Sequence, residues 1–375
     1  MKKCLVVLGM HRSGTSALTG VLNIMGVNLG DELLPPAEKI NPKGFFENQK
    51  ILNINEIILQ RLGSSWDDLF FYYNDNWQQK SELKECQEDA LFFIDSEFKN
   101  VSLFAIKDPR INRLLPFWQN IFQKLEIEPV YVISIRHPLE VAYSLKVRDN
   151  FSLEKSCLLW QSHMLEAELY TRNSLRCFVT YDNLLSNPLE VLDKISQSLD
   201  FSFPNKVGDS INIKIEEFLE KGLKNHSIDT LKINEAVIEN IFDYYNILLK
   251  IDDDKNNENI LIRKIDKIRG EFVKLNNFFY NRNILELKIN KEGLEKDNSF
   301  LHNEVRVKSD EIRLKGDELR SKSEELKVKD EELKVKDEEL KKQSTRLNDI
   351  LNSRTWRYGS KISRFLSFIL FRVNL

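Results

Sequence analysis

Cysteine is scarce: Cys4, Cys86, Cys157 and Cys177 are the only four in 375 residues. They lie far apart and form no C-x-x-C pair, which argues against a disulfide framework or a thiolate zinc site and fits a reducing compartment. The five histidines show no ligand spacing either. Long apolar runs are missing, and no window reaches the roughly 18 residues that a membrane span needs. Lys2 and Lys3 precede an apolar stretch that stops at His11 and Arg12, too short for a secretory leader and without its small-residue end. An excess of one charge is absent too: 55 Lys and Arg face 58 Asp and Glu, a formal net charge of -3. That gives no global case for nucleic acid as a partner. The expectation is a cytoplasmic protein, and a hydrophobic fraction of 42% is enough for a real core.

Strand-like runs fall at 4–8, 103–106, 130–135 and 177–180. Helical patterns separate them at 16–25, 49–61, 81–99, 138–148, 153–173 and 188–199. Short apolar strands alternating with helices predict an α/β fold, a P-loop-like parallel sheet flanked by helices, over residues 1–250. Ligands of such sheets bind beyond the carboxyl ends of the strands.

Residues 251–260 are polar and read as a linker. Residues 261–350 are highly charged and lack proline. Val305, Ile312, Leu319, Leu326, Leu333, Leu340 and Leu347 share one heptad position, but the second apolar position of a coiled coil is mostly Lys, Ser or Asp. A long solvated helix and self-association through 300–347 are both open readings. Residues 351–375 carry Arg and Lys without acids, with Tyr358, Ile362, Phe365, Leu366, Ile369 and Leu370 at helical spacing. A basic amphipathic helix of this kind lies in a membrane interface or docks on protein.

The stretch LVVLGMHRSGTSALT looks like a strand, a turn and a helix. Gly9 and Gly14 keep the glycine spacing of a triphosphate loop, but Thr15 stands where its lysine belongs. Backbone amides from Gly9 to Gly14, the following helix N-terminus, the hydroxyls of Ser13, Thr15 and Ser16, and Arg12 together suit an anion. A second junction is VYVISIRHPLEVAYSL. Arg136 ends a strand, and Ser144 lies two turns into the next helix. Both can reach one phosphate, and the planar fork of arginine fits its oxygens. Two neighbouring strand–helix junctions thus offer two anion sites.

With GMHRSGTSALT, NPKGFFE, IKDPR and TYDNLLSNP in order, the chain resembles the bacterial branch of the sulfotransferases that use 3'-phosphoadenosine 5'-phosphosulfate (PAPS). The resemblance covers residues 1–230. It implies that Arg12, Ser13, Gly14, Thr15 and Ser16 hold the 5'-phosphosulfate, with His11 beside them in the cofactor-binding loop. It implies that Arg136 and Ser144 hold the 3'-phosphate, that Tyr181, with Asp182, helps seat the nucleotide, and that a late basic loop with Lys221, Lys224 and His226 closes over it. The product would be 3'-phosphoadenosine 5'-phosphate (PAP), and no metal is expected. The implied acceptor is a hydroxyl of a saccharide or glycolipid, and the basic amphipathic tail would suit a substrate assembled at the inner membrane face.

Charge developing in sulfuryl transfer can be met by Arg12, amides and hydroxyls. The base is left open. The K-x-H histidine of the animal enzymes has no counterpart in IKDPR. Glu47 is the first candidate and Glu32 the second, with Asp108 and His11 also possible; Asp108 can instead pair with Arg110. Two other readings stand beside this one: a P-loop kinase or NTPase with a deviant loop, and a non-catalytic scaffold.

Overall fold

The sheet begins with the chain. In the computed structural model, β1 (Lys2–Leu8) is central, with β2 (Leu103–Lys107) on one side and β3 (Ile127–Ile135) on the other. β4 (Arg176–Thr180) adds to β3, so the order is β2-β1-β3-β4 and every pairing is parallel. The structure describes residues 2–37, 43–69, 76–219, 235–252, 257–294 and 332–352, with 329, 358–359, 361–364 and 366–367 in shorter pieces.

Alternation along β1 sends its side chains to two apolar layers. Cys4, Val6 and Leu8 join one layer. That layer is built by α2 (Gln49–Arg61), α3 (Lys84–Glu97), α4 (Ile111–Lys124), α5 (Pro138–Asp149) and α6 (Leu153–Thr171). Leu5 and Val7 join the other, built by α1 (Thr15–Ile24), α7 (Tyr181–Ser186), α8 (Pro188–Ser198) and α9 (Asp209–Phe218). Burial on both faces is why the strands read as continuous apolar runs rather than alternating ones.

The composition changes at residue 251, but the first compact unit runs from Met1 to Leu285 and the second from Glu286 to Leu375. The stretch 251–252 belongs to the core rather than to a free tether. Ile251 is buried, and the Asp252 carboxylate accepts from the Phe178 amide at 2.7 Å on the sheet's edge strand. α10 (Glu235–Leu248) and α11 (Glu258–Leu294) follow. α11 buries Leu261 and Ile265, and its Arg269 donates to the Glu168 carboxylate at 2.9 Å and to the Leu165 carbonyl at 3.0 Å. Glu168 also receives Arg172 and Arg176, which explains how a carboxylate can be fully buried.

In the second unit, residues 332–352 are helical, and Leu333, Leu340 and Leu347 are exposed. The other four heptad residues, from Val305 to Leu326, lie outside the described residues. No helix among the described residues is long and apolar enough to cross a membrane.

Candidate functional site

Chain direction selects one end of the sheet. The connection leaving β1 heads towards β2, and the one leaving β3 heads towards β4, on opposite sides. The carboxyl ends of β1 and β3 therefore form the switch point where such sheets bind ligands. The two motifs read as anion sites follow these two strands.

The loop after β1 has an unusual backbone. Gly9, Arg12 and Gly14 have φ of 142°, 71° and 86°. Gly9 needs its missing side chain, because a Cβ there would meet the Ser134 carbonyl oxygen at 2.8 Å. The Asn112 amide clamps the same glycine: Oδ1 accepts from the Gly9 N–H at 3.0 Å and Nδ2 donates to its carbonyl at 2.8 Å. Gly14 is the N-cap of α1 and provides no side-chain cap. The helix N-terminus thus offers amides to an anion. A Cβ on Gly14 would land 2.2 Å from the Tyr181 ring, so the ring closes directly over the glycine.

β3 fixes the loop from the other side. The Ser134 hydroxyl donates to the Ser13 carbonyl at 2.8 Å, and Arg136 Nη1 donates to the Arg12 carbonyl at 3.0 Å. Arg12 Nε donates to Ser144 Oγ at 2.7 Å, so residues 132 positions apart meet. The Arg136 guanidinium lies 4.7 Å from the Tyr181 ring centroid, and its Nε donates to Glu140 Oε2 at 2.9 Å. Arg12, Arg136, Ser144 and Tyr181 thus form one cluster around the loop. Burial, with Arg148 and Arg136 nearby, lowers the pKa of Arg12 from its ordinary value. Such a site favours an incoming anion. Burial raises the Tyr181 phenol, against the pull of both arginines. Ser13 Oγ is buried with no hydrogen-bond partner, inside the loop.

Lys107, at the end of β2, reaches into the same loop. Its Nζ donates to Ser16 Oγ at 3.0 Å, to the Phe45 carbonyl at 2.9 Å and to Glu47 Oε1 at 2.7 Å. A lysine therefore does approach the loop, from a neighbouring strand instead of position 15. Glu47 is buried beside it, whereas Glu32 is exposed.

Asp108 lies fully buried below this pair. Its Oδ2 accepts from Asn55 Nδ2 at 3.0 Å, and its Oδ1 accepts from the Arg110 N–H at 3.0 Å and from Arg110 Nη1 at 2.9 Å. Arg110 also pairs with Glu56; burial opposes its charge, but Asp108 and Glu56 raise its pKa overall. Both Asp108 oxygens are thus engaged, Oδ1 in an ion pair with Arg110 and Oδ2 by the Asn55 amide. His11 packs on Trp66 with ring centroids 4.3 Å apart, and its Nε2 is buried without a partner. Burial, then Arg110 and Arg148, hold His11 well below the usual histidine range, so it is neutral and weakly basic. Thr15 is buried at the start of α1. Lys221, Lys224 and His226 lie outside the described residues.

Four residues of this arrangement carried no assignment in the sequence reading: Lys107, Asn112, Ser134 and Glu140. Glu140 had a readable signal, the i, i+4 spacing from Arg136. Lys107 stood inside a quoted motif, but only the tertiary fold brings it to Ser16. Nothing in the sequence marks Asn112 or Ser134.

Comparison with protein-family models finds no match, and no curated protein matches either. Among solved structures, the chain is similar to a sulfotransferase domain from the Synechococcus PCC 7002 olefin synthase. That pair shares 15% identity and a TM-score of 0.42, over 66% of this chain and 96% of the other. It is also similar to a sulfotransferase domain from the curacin biosynthetic pathway, with 16% identity and a TM-score of 0.38, over 66% of this chain and 98% of that one.

Proposed function

We propose that this chain is a sulfotransferase that moves a sulfuryl group from PAPS to an acceptor hydroxyl. The observation that carries the reading is the meeting of Arg12 with Ser144, beside Arg136, at the β1/β3 switch point. The unpartnered Ser13 hydroxyl and the uncapped start of α1 supply donors for the same ligand. Arg136 and Ser144 would hold the 3'-phosphate. Arg12, Ser13, Thr15, Ser16 and the amides of the loop would hold the phosphosulfate, with Lys107 adding charge through Ser16. Tyr181 would seat the nucleotide against Gly14.

In this reading the acceptor oxygen bonds to sulfur as the bond from sulfur to the 5'-phosphate oxygen breaks. The electron pair stays on the phosphate, where fixed donors meet the new charge. The hydroxyl proton goes to Glu47, the one candidate carboxylate that is buried beside the loop and not locked into the Asp108 network. The acceptor is a hydroxyl of a saccharide or glycolipid, following the resemblance of the motifs.

The test is a thermal shift of the purified chain with PAP, with ADP, and with magnesium ATP. Stabilisation by PAP alone, followed by transfer of labelled sulfate from PAPS to an acceptor, is the expected result. Stabilisation only by magnesium ATP would replace the reading with a kinase. No shift with any of the three would leave a scaffold.

A further inference from the structure

Charge is distributed unevenly over the second unit. Along 332–350, acids and bases alternate closely. In 353–375 there are five Arg or Lys and no Asp or Glu. Residues 358–359, 361–364 and 366–367 are helical. Tyr358, Ile362 and Leu366 are spaced four residues apart, the step that keeps one helix face in register. All three are open to solvent, at 66%, 57% and 52% exposure. Lys361 and Arg364, both exposed, fall off that face. An apolar stripe flanked by bases is complementary to a surface that is apolar inside and negatively charged at its rim.

We propose that this C-terminal segment docks the protein on an anionic lipid bilayer, lying in the interface rather than crossing it. The apolar stripe inserts at the boundary of headgroups and acyl chains, and Lys361 and Arg364 meet lipid phosphates. The charge bias selects this occupant. A second copy of the chain would bring the same bases to the contact, and like charges repel there. The proposal is independent of what the nucleotide site binds.

The full chain is sedimented with phosphatidylcholine vesicles and with vesicles that also contain phosphatidylglycerol. Binding only to the anionic vesicles, weakened by salt, is expected. Each lost base should reduce partitioning about fivefold, so Lys361→Gln with Arg364→Gln should cost roughly 25-fold. Ile362→Asp with Leu366→Asp should abolish binding. Circular-dichroism melts matching the parent chain would show that the variants are folded. No sedimentation with anionic vesicles overturns the proposal, as does sedimentation that neither pair of substitutions changes. A dimer in size-exclusion chromatography that Ile362→Asp dissolves, without vesicle binding, assigns the face to a second copy and overturns it too.

Discussion

The buried pair Lys107–Glu47 makes the sharpest test of how the site works, because its members have separable jobs. Their side chains are 2% and 9% exposed, and the Nζ–Oε1 distance is 2.7 Å. Removing one member of such a pair strands a charge away from water, which costs about 3–5 kcal/mol. Glu47→Ala should approach that figure, since Nζ keeps only Ser16 Oγ and the Phe45 carbonyl. Glu47→Gln keeps a neutral acceptor in place, so its loss should fall to about 1.5–3 kcal/mol, the scale of a hydrogen bond to a charged group. Lys107→Met with Glu47→Gln removes both charges, and the double variant should lose less than the sum of the singles. Urea unfolding of the four chains measures this directly. Additivity to within about 0.5 kcal/mol would refute the coupling. The same chains then separate stability from chemistry. If Glu47 takes the acceptor proton, Glu47→Gln lowers turnover by about 10²–10⁴ while PAP affinity holds. Equal losses in turnover and PAP affinity would remove Glu47 as the base.

Arg136→Ala should weaken PAP in calorimetry by about 1.5–3 kcal/mol, and an unchanged affinity would take Arg136 out of the site. Gly14→Ala forces a side chain to adopt φ near 86° and drives its Cβ into Tyr181, so it should lose at least ~1–2 kcal/mol of stability and most PAP binding; a variant that keeps both would show that the ring does not close the loop. His163 is pushed down to about 3 by burial and by Arg113. The unfolded chain then binds this proton first, and stability falls as pH drops from 6.5 towards 3, by at most ~1.4 kcal/mol per pH unit. Glu166, raised to about 7 mainly by burial, acts in the opposite sense between 4.5 and 7. The difference between the parent and His163→Gln isolates the histidine: the acid limb of the variant's pH–stability curve should be flatter, and superimposable curves would contradict the burial argument.

The strands were readable because both faces of the sheet are covered, which turns each one into an unbroken apolar run. Their centres were right, and their ends moved by a few residues. β3 starts at Ile127, three residues before Val130, because pairing with β1 continues through Pro129, where no apolar signal remains. α4 was not read as a helix at all. Pro116 interrupts its pattern, yet nine of its residues are buried and tertiary packing holds it. The residues that cluster at the candidate site were legible because strand–turn–helix junctions are local, and Arg12, Arg136 and Ser144 lie at two of them. The residues that hold them were not. Asn112 grips Gly9 from 103 positions away, and Lys107 reaches Ser16 from 91. Such partners depend on strand order, which local sequence does not encode.

Tyr181 ties the site to one edge of the sheet. β4 is an edge strand, bonded to β3 on one side and capped on the other where Asp252 takes the Phe178 amide. Tyr181 follows it directly, with its ring over Gly14 and beneath Arg136. Any fluctuation that peels β4 from β3 withdraws the ring and uncovers Gly14 in the same event. A ligand bound there must oppose that fluctuation, lowering its frequency by a factor of 1 + [L]/Kd. Amide hydrogens of residues 176–181 would then exchange more slowly as ligand is added, while those of α3, on the far side of the sheet, would keep their rates. The edge strand thereby becomes a reporter of occupancy, legible in exchange kinetics without any catalytic turnover.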